Sequence, residues 1–182
     1  MTDTALLIID VQVAIVTGAY REAEVLAAIS DMAGRARAAG TPVIYLQHGE
    51  DSYEPMRRGA AGWAIHPEVA PHEGDTVIEK TASDGFYQTG LADQIARLGV
   101  RRLVICGLQT EFCVDATARA AISHGFDVVL ASDAHTTGDA VSPAETTIRH
   151  HNYALGHLAH PDHRILVRPS AQIEFVHAGN LG

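Results

Sequence analysis

The chain has 182 residues, 47% of them hydrophobic, with a formal net charge of −9 at pH 7. That composition is ordinary for a globular protein and excludes wholesale disorder. The acidic surplus, with 13 Lys and Arg forming no basic block, argues against nucleic acid as the main partner and favours a small neutral or cationic substrate.

The first element is the apolar run Ala5-Leu6-Leu7-Ile8-Ile9, which has the character of a strand buried on both faces. A strand over residues 5–10 leaves the Asp10 carboxylate at its carboxyl end. An amphipathic stretch predicts a helix over 22–39, followed by strand 42–47. Residues 49–74 show no periodicity, and a loop of that length is expected to be a lid or a binding loop. Strand 76–80 ends on Lys80, just before Thr81-Ala82-Ser83-Asp84-Gly85. Helix 89–98, strand 102–106, helix 113–124, strand 127–131, helix 143–158 and strand 164–167 complete the order. Gly40, Gly99 and Gly125 each follow a helix, where a left-handed residue commonly ends it. The alternation predicts an α/β fold, a three-layer α/β/α arrangement on a mainly parallel sheet of about six strands. One domain over residues 1–182 is expected, since no linker or repeat interrupts the chain.

No window approaches the roughly 18 apolar residues of a membrane span, and Met1-Thr2-Asp3-Thr4 lacks the basic region of a signal peptide. A cytoplasmic location is expected, with both cysteines free. Cys106, inside an apolar run, reads as a small buried hydrophobe. Cys113 opens a helix, where the unpaired N–H groups can lower a thiol pKa from about 8.5 and make it a candidate nucleophile. Ligands of open parallel sheets bind outside the carboxyl ends of the strands, so Asp10, Lys80 and Cys113 can converge on one crevice. Either charge alone fits an ordinary structural role equally well.

Leu6-Leu7-Ile8-Ile9-Asp10-Val11-Gln12, Val77-Ile78-Glu79-Lys80 with Phe86 and Thr89-Gly90-Leu91, and Gly107-Leu108-Gln109-Thr110-Glu111-Phe112-Cys113-Val114 with Thr117 and Ala120 carry a resemblance. In that order they are similar to the isochorismatase-like cysteine hydrolases, a superfamily that includes nicotinamidases and N-carbamoylsarcosine amidohydrolase. The resemblance implies a Rossmann-like isochorismatase fold and a catalytic triad of Asp10, Lys80 and Cys113. It also implies a non-proline cis peptide at Leu108-Gln109, which aims the Gln109 N–H beside that of Cys113 as an oxyanion hole.

Nicotinamidases of this superfamily hold a divalent ion with an Asp and several His near the second strand. In this chain Gln47 and Gly49 stand where that pattern has Asp and His, so no metal and no other cofactor is expected. His48, Asp51, His66 and His72 remain the alternative ligand set, although their spacing matches no compact motif. His150, His151, His157, His160 and His163 read as a partly exposed run, since Pro161 should follow the end of the helix. Trp63, Phe86, Tyr87 and Phe112 are the candidates for a substrate pocket, with core packing as the competing role of each.

These expectations converge on a metal-independent cysteine amidohydrolase. It would cleave a C–N bond of a small amide, ureido or lactam-type substrate through a thioester. A homo-oligomer, dimer or tetramer, is expected, with no nucleic-acid or membrane partner. The alternatives are a catalytically silent binding or scaffold protein of the same fold and a metal-dependent nicotinamidase-type enzyme.

Overall fold

Each apolar run becomes a strand of one sheet in the computed structural model, which describes residues 3–175. In chain order the main elements are β1 (Thr4–Ile9), α1 (Val13–Val16), α2 (Glu22–Ala38), β2 (Val43–His48), β3 (Thr76–Lys80), α3 (Leu91–Arg97), β4 (Arg102–Leu108), α4 (Asp115–Ser123), β5 (Asp127–Thr136), α5 (Ala144–Gly156) and β6 (Ile165–Arg168). The strand order is β3-β2-β1-β4-β5-β6, and every neighbouring pair is parallel. The order reverses beside β1, which pairs with both β2 and β4. This is the switch point at which parallel sheets open a crevice beyond their carboxyl ends.

Side chains of a strand alternate between faces, so the sheet has two apolar surfaces. Leu6, Ile8, Val43, Tyr45, Val104 and Cys106 pack with Val25, Leu26, Ile29, Met32 and Ala36 of α2. Leu7, Ile9, Ile44, Leu46, Leu103 and Ile105 pack on the other face with Leu91 and Ile95 of α3, Ala118, Ala121 and Ile122 of α4, and Leu155 of α5. The α2 residues recur at helical spacing, giving that helix one apolar stripe. Truncating a wholly buried residue such as Ile29 to Ala should cost about 2–5 kcal/mol, the usual loss for an aliphatic core side chain.

Two strands run further than their apolar stretches. β4 continues past Cys106 to Leu108, and β5 continues past Ala131 to Thr136. The added residues of β5 are polar except for Ala134, and side-chain bonds hold them in place. Asp133 accepts from Ser170 N at 2.7 Å, and the Thr136 hydroxyl donates to Tyr20 O at 2.6 Å. Such partners lie far away in sequence, so hydropathy alone stops both strands early. The four-residue helix α1 was not anticipated. Among the described residues no helix is long and apolar enough to cross a membrane.

Candidate active site

Asp10 follows the last residue of β1 with φ of 49°, a left-handed conformation that Asp adopts more readily than most residues. Its N–H is held by Leu46 O at 3.0 Å, so the carboxylate leaves the strand at the switch point. Lys80 ends β3 in register with His48 at the end of β2. Cys113 was expected to open a helix. The helical path instead begins with a π-helical turn, Thr110–Val114, that runs into α4. Gly107 lets β4 pass β1 on the way to that turn. Its φ is 119°, and a Cβ there would lie 2.0 Å from Ile9 O, so no other residue fits. The Leu108-Gln109 peptide is cis. The Gln109 N–H meets no acceptor among the described residues.

The structure brings Asp10, Lys80 and Cys113 together. Lys80 Nζ lies 2.7 Å from Asp10 Oδ2, with both side chains fully buried. It donates to Cys113 Sγ at 3.3 Å and to Ala82 O at 2.9 Å, and it lies 3.3 Å from His48 Nδ1. The approach to Asp10 is an ion pair, and among the described residues no donor meets either carboxylate oxygen at good hydrogen-bond angles. A buried carboxylate in that state is costly, and it is open to the next proton offered.

Protonation follows from the surroundings. Burial raises the Asp10 carboxyl above the ordinary carboxylate range, against the opposing pull of Lys80. His48 is lowered by burial first and by the Lys80 charge second. The Cys113 thiol is pushed up to about 12, by burial first and by the Asp10 charge second, with Lys80 opposing. This corrects the expectation that a helix N-terminus would supply thiolate. Burial and the Asp10 charge both favour the thiol form of Cys113, so its nucleophilicity depends on a base within reach. Asp10, His48 and Cys113 place one donor atom each within 4.8 Å of one another.

A cavity of about 330 Å³ opens over these groups, lined by Asp10, His48, Glu50, Phe112 and Cys113 among others. Of the four aromatic residues expected to form the pocket, only Phe112 lines it, and its side chain is half exposed. Phe86 instead packs in the core, stacked on His124 at 4.5 Å and on Phe126 at 6.0 Å. Tyr87 points to solvent. Trp63 contributes its backbone carbonyl rather than its ring, accepting from Gln12 Nε2 at 2.7 Å and from Gln47 Nε2 at 3.0 Å. Sequence reasoning missed Tyr53 and Met56, which the loop over 49–74 contributes to the cavity wall. It also missed Gln12, whose buried amide clamps that loop through Trp63 O, His48 O and His48 N. A polar residue just after a buried strand was the available signal for Gln12. The loop is therefore pinned beside the carboxyl ends of β1 and β2.

The alternative metal ligands do not assemble. Among the described residues the trio of close donors is Asp10, His48 and Cys113, and Asp51, His66 and His72 stand elsewhere. His66 accepts from Glu68 N, and His72 is tied through its N–H to Asp75. The Gln47 amide is committed to Trp63 O. Within the trio the Lys80 ammonium already supplies positive charge, and a metal ion there would have to compete with it. Farther off, His157 stacks on Tyr153 and His163 lies 3.6 Å from Asp127, consistent with a partly exposed histidine run.

Known proteins resemble the chain over most of its length. The Isochorismatase domain profile matches residues 4–160. A streptothricin hydrolase of Streptomyces noursei is 40% identical over 84% of this chain and 65% of its own length, so the chain spans just under two thirds of that relative. A ureidoacrylate amidohydrolase of Stutzerimonas stutzeri (strain A1501) is 30% identical over 75% of this chain and 71% of its own. Among solved structures, an isochorismatase from Pseudomonas putida KT2440 superposes with a TM-score of 0.84 at 28% identity, covering 94% of this chain and 90% of that one.

Proposed function

The chain belongs to the isochorismatase family, and from that premise we propose that it is a cysteine-dependent hydrolase cleaving a C–N bond of a small amide, ureido or lactam-type substrate. The observation that carries the proposal is the buried Asp10 carboxylate, paired with Lys80 at 2.7 Å, beside a thiol that Lys80 also touches at the wall of a cavity. Relatives named as hydrolases of streptothricin and ureidoacrylate support the class of reaction.

In this mechanism the Cys113 sulfur attacks the carbonyl carbon while Asp10 takes the thiol proton, so no standing thiolate is needed. Lys80 favours the developing negative charge on sulfur and holds the carboxylate near it. The carbonyl oxygen becomes an oxyanion facing the Gln109 and Cys113 amides. Losing one donor of this kind typically costs on the order of 2.7–4 kcal/mol of barrier. Asp10 returns the proton to the leaving nitrogen, and a thioester to Cys113 remains. Water then attacks the thioester with Asp10 again as base, releasing the acid and restoring the thiol.

A panel of small amides, ureido compounds and lactams, assayed for released ammonia or amine, tests the proposal. Wild-type protein should turn over at least one of them, and Cys113→Ala none. Equal turnover by the variant would rule out the cysteine mechanism.

A further inference from the structure

Lys80 has three protons on Nζ, and three groups stand in hydrogen-bond geometry around it: Ala82 O, Cys113 Sγ and His48 Nδ1. An ammonium can only donate, so Nδ1 must be the lone-pair nitrogen of the His48 ring, and in the neutral ring the proton then sits on Nε2. Burial and the Lys80 charge both favour that neutral ring, against the attraction of Asp10 and Glu50. Nε2 meets no partner among the described residues, and His48 is part of the cavity wall.

We infer that His48 is a fourth working residue of the reaction proposed above: its Nδ1 takes the third Lys80 proton, and its Nε2–H offers a donor to an acceptor oxygen of the bound substrate. The first role is positioning. Without His48, the freed Lys80 proton has Asp10 Oδ2 as its nearest acceptor, at 2.7 Å. A directed hydrogen bond there would compete with the thiol proton for the same carboxylate and slow its removal. The second role restricts the substrate. An amide that carries a second acceptor oxygen near the scissile carbonyl, such as a carboxylate or hydroxyl on the adjoining carbon, can meet the Nε2–H, whereas a substrate presenting only donors on that side leaves it unpaired.

The inference rests on the hydrolase reading, but part of its test does not. Long-range proton–nitrogen NMR of the labelled protein at neutral pH, with the His48 signals assigned by their loss in His48→Gln, reads the tautomer directly. Protonation on Nε2 alone is expected, and a proton on Nδ1 overturns the inference. Kinetics separate the two roles, because the Asn carboxamide reaches the Nδ1 position and the Gln carboxamide the Nε2 position. His48→Asn should chiefly raise KM, by about tenfold, as for one lost hydrogen bond to substrate. His48→Gln should chiefly lower kcat and the rate of Cys113 alkylation by iodoacetamide, each by about tenfold. His48→Phe should show both losses. If all three variants match wild type in KM, kcat and alkylation, the inference is overturned. Should the wild type hydrolyse no member of the panel, the hydrolase reading fails by itself, and the NMR and alkylation results still decide whether His48 serves Lys80.

Discussion

Cys106 and Cys113 lie at opposite ends of one strand-to-helix passage and show what distinguishes a structural thiol from a reactive one. Both are held protonated by burial. Cys106 is enclosed on the α2 face of the sheet, where among the described residues its hydrogen-bond partner is the carbonyl of Leu7 at 3.8 Å. Cys113 stands just beyond the carboxyl end of β4, with an ammonium at 3.3 Å, a carboxylate close by and a cavity in front. A perturbed pKa therefore does not separate them. Partners able to take the proton and steady the charge do.

The sharpest way to break this comparison is to delete each sulfur in turn. Cys113→Ala should lower turnover by on the order of 10⁴-fold or more, as when a covalent nucleophile is removed. Cys106→Ala should keep kcat and KM and lose only about 1–2 kcal/mol of stability to the small cavity it leaves. Steady-state kinetics and urea unfolding of the two proteins measure both effects. Similar losses of activity would mean that the strand end confers no special chemistry.

Removing the ammonium tests the partner half of the comparison. Lys80→Met leaves Asp10 buried and unpaired, which should cost about 3–5 kcal/mol of folding stability at neutral pH. Acidification should return part of that loss, because the orphaned carboxylate, whose pKa rises further without its partner, sheds its charge by binding a proton. Denaturant unfolding at several pH values checks this, and a pH-independent deficit would contradict it.

A smaller effect marks a polar region next to the nucleophile's turn. His135, wholly buried, lies 2.9 Å from Thr110 Oγ1 through Nδ1 and 2.9 Å from Asn152 Oδ1 through Nε2. Burial lowers it to about 4 from 6.5. Between those values the unfolded chain binds a proton that the folded one refuses. Stability should therefore fall as pH drops through that window, by roughly 3 kcal/mol from this group alone. Unfolding of wild type and His135→Gln at pH 7 and pH 4.5 compares the two slopes, and equal slopes would show that His135 is not the group responsible. The smallest expected effect is that of chelation. Activity should be unchanged after dialysis against EDTA, because the Gln47 amide is bonded to Trp63 O and the Lys80 ammonium sits among the remaining donors.

The parts of this molecule legible in the sequence were those written in local pattern. Six apolar runs marked the six strands, and charges at two strand ends marked Asp10 and Lys80. Gly40, Gly99 and Gly125 marked helix ends and adopt the positive φ expected there. Features that depend on direction or on distant partners were not legible. Phe86 is close to Lys80 in sequence, yet its ring turns into the core on the α4 side. His48 was considered only as a metal ligand. Its actual partner comes from the neighbouring strand, through a register that no local pattern specifies. The Cys113 thiol was expected to be acidified by a helix terminus, but desolvation outweighs that effect once the turn is packed.

The central claim is that Cys113 carries the acyl group between two steps that share Asp10 as base. Rapid acid quench of wild-type protein mixed with a substrate found in the amide panel, followed by intact-mass and peptide mass spectrometry, reads this directly. The account predicts a transient mass increase equal to the acyl portion of the substrate, located on the peptide containing Cys113, sensitive to hydroxylamine and missing from Cys113→Ala. Turnover through the steady state with no adduct on Cys113, even in single-turnover experiments with slow substrates, would contradict it and point to direct attack by water.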